Sequence, residues 1–328
     1  MRRREFIALL GGTAIAWPVR AIAQATEKLR RIGVLMGITA IDPDAQPRVA
    51  TFQKQLQELG WSEQNIRIDY RWVSDDAERL LADVRDLVRL APDLLVADTT
   101  AALTALRPEA REIPVVFLRV SDPVGAGFIG SLARPGGNIT GITNFEFPMG
   151  GKWLELLKEI APRTVRITVL LHPAMTAHAG LWQTIETAAP TFSVEARQVP
   201  VRDSVELQPA IVLTASEPNS GVIVLPDALV EINRGLIIEL AMRHHLPVIY
   251  PLRHYAAAGG LIAYGPEALD LYRQAAVSVD RILRGASPAD LPIQHPRKFE
   301  LAINLKTAKA LGLTVPPSVL ARADEVIE

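Results

Sequence analysis

Short apolar runs alternating with longer amphipathic ones constrain this chain more than any other feature. RIGVLM at 31–36 is a strand-length run, and RVATFQKQLQELG follows with Val49, Phe52, Leu56 and Leu59 at helical spacing, closed by Gly60. NIRIDYRWV (65–73) alternates as a strand, ERLLADVRDLVRL carries Leu80, Val84, Leu87 and Val88 on one helical face, and PDLLVA returns to an apolar strand. Helix 101–106, strand 114–120, a short helix near 124–132 and strand 138–143 complete a first series. A second begins after residue 148, with strands at 166–171, 192–199, 221–226 and 247–250 separated by helices at 151–160, 177–188, 203–214 and 229–243. Strands buried on both faces and separated by helices predict parallel sheets covered on each side. The expected fold is α/β, with two doubly wound lobes joined by a hinge.

The tail adds strand GGLIAYG (259–265), a helix at 267–284 ending at Gly285, strand KFELAIN and helix LKTAKALGL. Only EFPMGG (146–151) separates the two series, which fits lobes joined by hinge strands better than independent beads. At 328 residues and 49% hydrophobic the chain can bury two cores. Thirty-five basic against thirty-six acidic residues leave no electrostatic footprint for nucleic acid. Cysteine is absent, which excludes disulfides, thiolate metal sites and a cysteine nucleophile.

The first residues read as an export signal: Arg2, Arg3 and Arg4, an apolar stretch from Phe6 to Trp17, then Ala21-Ile22-Ala23 as a cleavage pattern, giving a signal over 1–23. Arg3-Arg4 fits the twin-arginine route, and the segment also fits an ordinary secretory signal. The expected location is periplasmic, with no span in the mature chain, because no later run of about eighteen apolar residues occurs.

Gly125, Gly127 and Gly130 spell the dinucleotide pattern G-x-G-x-x-G, but Ser121-Asp122-Pro123 separate them from the preceding strand and ARPGGN cuts short the helix that would follow. The reading from context is Asp122 as an N-cap and Pro123 at the first helical position. The chain has no phosphate loop, no H-E-x-x-H and no G-x-S-x-G, and its histidines do not cluster at ligand spacing. Asp42/Asp44 and Asp75/Asp76 fit caps and solvated loops. No cofactor, metal or catalytic set is expected, and the chain does not read as an enzyme.

The segments MRRREFIALLGG with AIAQ, DPVGAGFIGSLARPGGNITGIT, HHLPVIYPLRHYAAAGGLIAYG and the ending LPIQHPRKFELAINLKTAKALGLTVPPSVLARADEVIE resemble, over essentially the full length, the exported substrate-binding proteins of ABC transporters, in particular the TrpX-like subgroup. The resemblance implies a type I periplasmic-binding-protein fold with three crossing segments and a ligand between the lobes. By that analogy the N-lobe is 28–142 with 256–286, and the C-lobe 143–255 with 287–328, so GGLIAYG returns to the first lobe. It also implies a monomer that holds a small-molecule ligand, closes about its hinge and docks on an ABC permease. A ligand sensor serving a membrane receptor, or an exported α/β enzyme, stays open as an alternative.

In such sheets ligands sit beyond the carboxyl ends of the strands. The candidates in the first lobe are Gly37, Thr39, Thr99, Thr100, Ser121 and Asp122; in the second lobe they are Asp227, Tyr250 and Arg253, with Tyr264 from the returning strand. Asp122 or Asp227 suits a ligand ammonium, Arg253 or Arg119 a carboxylate, and Tyr250 or Tyr264 an apolar part. His172-Pro173 stands where related proteins often carry Asn-Pro, and the first loop reads Gly-Ile-Thr.

Overall fold

The computed structural model describes residues 29–72 and 77–328, and the export signal and Asp75/Asp76 lie outside them. The first series runs β1 (Arg30–Met36), α1 (Ala45–Glu58), β2 (Ile66–Trp72), α2 (Ala77–Arg89), β3 (Leu94–Asp98), α3 (Thr100–Leu106), β4 (Val115–Val120) and β5 (Ile139–Thr143). The second runs α4 (Met149–Ile160), β6 (Arg166–Leu171), α5 (Thr176–Ala188), β7 (Glu195–Pro200), α6 (Ser204–Ala215), β8 (Ser220–Val224), α7 (Ala228–Ile232), α8 (Arg234–Arg243), β9 (Val248–Tyr250), α9 (Arg253–Ala257) and β10 (Ile262–Pro266). The tail holds α10 (Ala268–Leu283), β11 (Phe299–Asn304), α11 (Leu305–Ala310), α12 (Pro317–Leu320) and β12 (Glu325–Ile327).

The first sheet is parallel in the order β2-β1-β3-β4-β5. The second repeats that order as β7-β6-β8-β9-β10 and continues with β11, antiparallel to β10, and β12. Both sheets are therefore doubly wound, with switch points between β1 and β3 and between β6 and β8. Alternation along the strands divides each core in two. Ile32, Val34 and Met36 of β1 face α1 and α10, whereas Leu35 joins Leu87 and Leu103 of α2 and α3. In the second lobe Ile167 and Val169 face α4 and α5, and Leu170 faces the layer of α6 and α8.

Four expectations change. The strand expected to return to the first lobe pairs with β9 and β11 in the second sheet. Its pattern fits any buried strand, and β9 offers the open parallel edge. What does return is α10, packing Leu271, Tyr272 and Ala275 with Phe52 of α1. Trp61 Nε1 donates to Asp280 at 2.8 Å, and Arg284 Nη2 donates to the Leu59 carbonyl at 2.8 Å, fixing α10 at both ends of that turn. The stretch after α10 also stays with the first lobe through residue 295: Gln294 N–H donates to the Gly141 carbonyl, Thr143 N–H to that of Gln294, and Leu291 and Ile293 are buried in the first lobe's cores. The lobes are thus joined at three crossings, near 144–148, at Glu267 and at 296–298. The crossings touch one another, because Glu267 N–H donates to the Lys298 carbonyl at 3.0 Å and His295 Nδ1 lies 3.2 Å from Glu146 Oε1.

The helix expected at 124–132 is a series of turns. Asp122 has φ +47° and its carboxylate accepts from Gly125 N–H at 2.8 Å, filling the space a Cβ on Gly125 would need; Gly127 then turns the chain at φ +70°. The helix expected at 229–243 is broken at Asn233 into α7 and α8.

Candidate functional site

Groups at the carboxyl ends of β1 and β4 meet the helices that follow β8 and β9 across the lobe boundary. Asp98 closes the apolar strand Leu94–Asp98 and is wholly buried. Its Oδ2 accepts from Gly37 N–H at 2.9 Å. A Cβ on Gly37 would lie 2.1 Å from the Asp98 carbonyl oxygen, so glycine is what lets the two strand ends come so close. Arg119 Nε lies 3.2 Å from Asp98 Oδ1. The register of β4 against β5 shifts between Leu118 and Val120, and Arg119 sits in that bulge at φ +57°, which turns its side chain toward Asp98. Burial works against the charge on Arg119, but Asp98, with Tyr272, Glu231 and Asp44, outweighs it and holds the guanidinium pKa above its ordinary value. Glu231 belongs to the second lobe, so this cation answers to acids of both lobes.

The opposite wall is α7 and α9. His254 Nε2 lies 2.8 Å from Glu231 Oε1, while its Nδ1 reaches Asp44 Oδ2 of the first lobe at 3.6 Å. Arg234 joins Glu231 at 3.2 Å and Asp42, again in the first lobe, at 3.7 Å. Burial alone would raise the Glu231 pKa; the His254 hydrogen bond and the charges of His254, Arg119 and Arg234 bring it down to about 2. Tyr255 hydrogen-bonds Glu231, and burial followed by that carboxylate pushes its phenol well above the usual range. Ion pairs between acids at the start of α1 and bases on α8 and α9 hold the lobes against each other.

The remaining second-lobe loops are fastened by His178, which is 2% exposed. Its Nδ1 accepts from His172 N–H at 2.8 Å, and its Nε2 lies 3.1 Å from the Pro226 carbonyl, so Nε2 carries the proton. The ring ties the loop after β6 to the loop after β8.

The sequence candidates separate on this frame. Gly37, Thr99, Thr100, Ser121 and Asp122 lie together at the strand ends of the first lobe. Thr99 has φ +105°, strained for a β-branched residue, and its hydroxyl accepts from Ala102 N–H at 3.4 Å. Ser121 Oγ donates to Asn144 Oδ1 at 2.8 Å at the first crossing, and Thr39 is exposed. Asp227 caps α7, accepting from Leu229 N–H at 2.5 Å. Tyr250 is 1% exposed and stacks on Tyr255 inside the second lobe. Arg253 is exposed and pairs with Glu325 at 3.3 Å and Glu300 at 4.0 Å, and Tyr264 stacks on Phe299. These last two face the β11–β12 side, away from the cluster of Glu231 and His254. Arg48, Asp98, Glu231, Arg234, His254 and Tyr272 were not singled out from the sequence; an aspartate closing an otherwise apolar strand was the one signal available. A depression of about 470 Å³ beside Arg107, Phe128 and Asn138 lies at the amino ends of β4 and β5, far from these groups. Among the described residues no group of His, Asp and Glu is arranged to hold a metal ion, and no helix is long and apolar enough to cross a membrane.

Known proteins share this fold. A tyrosine-binding protein of Clostridioides difficile is 25% identical over 290 residues, covering 88% of this chain and 82% of that protein. The crystal structure of an ABC domain in complex with L-Trp from Streptococcus pneumoniae superposes with a TM-score of 0.83 at 24% identity, covering 91% of this chain and 99% of that one. A conserved domain protein of Vibrio cholerae gives 0.82 at 27% identity, covering 91% and 100%. A model of the ABC transporter substrate binding protein family matches residues 35–327, and the chain belongs to that family.

Proposed function

We propose that this protein captures an amino acid between its lobes, closes over it about the three crossings and presents the closed form to a membrane permease. The observation that carries this reading is the meeting of two doubly wound sheets at their switch points, with first-lobe Asp42, Asp44 and Arg119 engaging second-lobe Arg234, His254 and Glu231. A ligand that completes such a boundary favours the closed arrangement by its differential contacts alone, and no chemistry on it is required. The relatives named for tyrosine and for L-Trp support an amino acid with an aromatic side chain as the solute. A zwitterion suits a boundary where both charge signs are enclosed. The lobes are 29–143 with 268–295, and 144–266 with 296–328; Gly37, Thr99, Thr100, Ser121, Asp122 and Asp227 are the candidates that stay at the ligand. Export through the 1–23 signal places the protein outside the cytoplasm, where such a solute is met.

Isothermal titration of the mature chain with the twenty amino acids, paired with small-angle scattering, tests the proposal. The expected result is saturable binding of an aromatic amino acid with a fall in the radius of gyration. Binding with unchanged compactness removes the hinge mechanism, and no binding removes the solute class.

A further inference from the structure

The row of α1 that faces the first lobe's core is Ala45, Arg48, Phe52 and Leu56, so an arginine occupies a core position one turn into the helix. Arg48 is 2% exposed. Its sole ionic contact among the described residues is Nη2 to Asp44 Oδ2 at 3.4 Å, and that carboxylate is shared with His254 of the second lobe at 3.6 Å. Nε and Nη1 are enclosed with no hydrogen-bonding partner among the described residues. The Tyr272 hydroxyl, from α10, lies against Asp98, and neither it nor Asp98 Oδ1 makes a well-formed hydrogen bond. A buried guanidinium keeps its charge and needs its donors filled. The neighbouring cations each have an acid nearer than Arg48 does. Arg119 has Asp98 at 3.2 Å, and Arg234 has Glu231 and Asp42. Arg48 is the most enclosed of the three, its side chain 3% exposed against 12% and 31%, and its one acid is divided between two bases.

We propose that Arg48 is the specificity-determining residue of the cleft, its free N–H groups receiving the carboxylate of the bound solute beside the Tyr272 hydroxyl. The assignment rests on the solute-binding reading and adds to it the residue that distinguishes an acid from its uncharged counterpart. Charge-assisted bonds from a guanidinium to a carboxylate are the strong class, and an amide in the same place loses the charge while keeping the shape.

The test uses the mature protein and its Arg48→Met and Arg48→Lys variants, titrated with L-tyrosine, L-tryptophan and their carboxamides, together with melting of each ligand-free protein. The wild type binds the acids over the amides. Arg48→Met loses about 10- to 100-fold for the acids, the range for a hydrogen bond to a charged group, and keeps its affinity for the amides; Arg48→Lys recovers part of the loss. Ligand-free Arg48→Met melts at or above the wild type, because an unfilled buried charge has been replaced by an apolar chain of similar reach. An unchanged preference for acid over amide in Arg48→Met overturns the proposal. So does a ligand-free Arg48→Met that melts well below the wild type, which marks Arg48 as a support of the fold. If the wild type binds neither acids nor amides, the solute class of the reading fails instead, and the melting comparison still decides between a supporting and a reserved arginine.

Discussion

His178 makes the second lobe's half of the site dependent on a neutral imidazole, and the consequence is measurable. The ring accepts at Nδ1 from His172 N–H and donates at Nε2 to the Pro226 carbonyl, a combination only the uncharged ring provides. Burial first, opposed by the Pro226 bond and Asp227, holds its pKa below the ordinary 6.5. A base whose folded pKa lies below its unfolded value binds fewer protons when folded, so its contribution is intact above 6.5 and is lost as pH falls from 6.5 toward the lowered value. The slope there is about 1.4 kcal/mol per pH unit. In His178→Leu the His172 N–H and the Pro226 carbonyl lose their partner, at about 1–3 kcal/mol each, and partial exposure of both loops favours the lower half, or about 3 kcal/mol together. For a chain of this size that is a fall of about 4–5 °C in Tm. Urea unfolding of both proteins at pH 7.5 and 5.5 separates the terms: the penalty should be about 3 kcal/mol at pH 7.5 and smaller at pH 5.5, where the wild type has begun to suffer. A penalty that is equal at the two pH values, or larger in acid, refutes the neutral-bridge account.

Three further outcomes follow from the same site. Gly37→Ala places a Cβ 2.1 Å from the Asp98 carbonyl and 2.4 Å from Thr99 Cγ2; separating β1 from β3 should cost about 1–3 kcal/mol and weaken ligand binding, both visible by denaturation and titration. Glu231, held at about 2, contributes stability that is complete above 4.5 and is lost as pH falls from 4.5 toward 2; Glu231→Gln should flatten that acid limb in melts between pH 5 and 3. Arg234→Gln removes the cross-lobe contact to Asp42, a partly exposed pair worth about 0.2–1 kcal/mol; ligand affinity should fall about two- to fivefold at low salt and the difference should vanish near 1 M salt, whereas a salt-independent loss would mean that Arg234 touches the ligand.

The strand and helix order, and the wound architecture of each lobe, were legible because each strand needs two apolar faces and each helix one, and those periods survive in any context. What the periods do not carry is which sheet a strand joins. Ile262–Pro266 would satisfy either core, and its pairing with Val248–Tyr250 depends on an edge left open more than a dozen residues earlier. The same limit applies to α1. Spacing alone suggested Val49 for the buried stripe, yet the structure rotates the stripe to Ala45, Arg48, Phe52 and Leu56, because α10, more than 200 residues away, sets the face.

The site is harder to read than the fold because its charges act in pairs drawn from different lobes. Asp42 and Asp44 look like helix-start acids, and Arg234 and His254 like ordinary surface bases, until the three crossings bring them within 3.7 Å of each other. Arg119 looks like a strand residue with its side chain on the sheet face, until a one-residue bulge turns it onto Asp98. Each of these residues is chemically unremarkable in its own segment. If the boundary is the functional unit, double-mutant cycles should find coupling between Asp44 and His254 in the ligand-bound protein that disappears without ligand, since only closure holds both at one distance. Coupling of equal size in both states would mean that the lobes are already joined there and that ligand is not what brings them together.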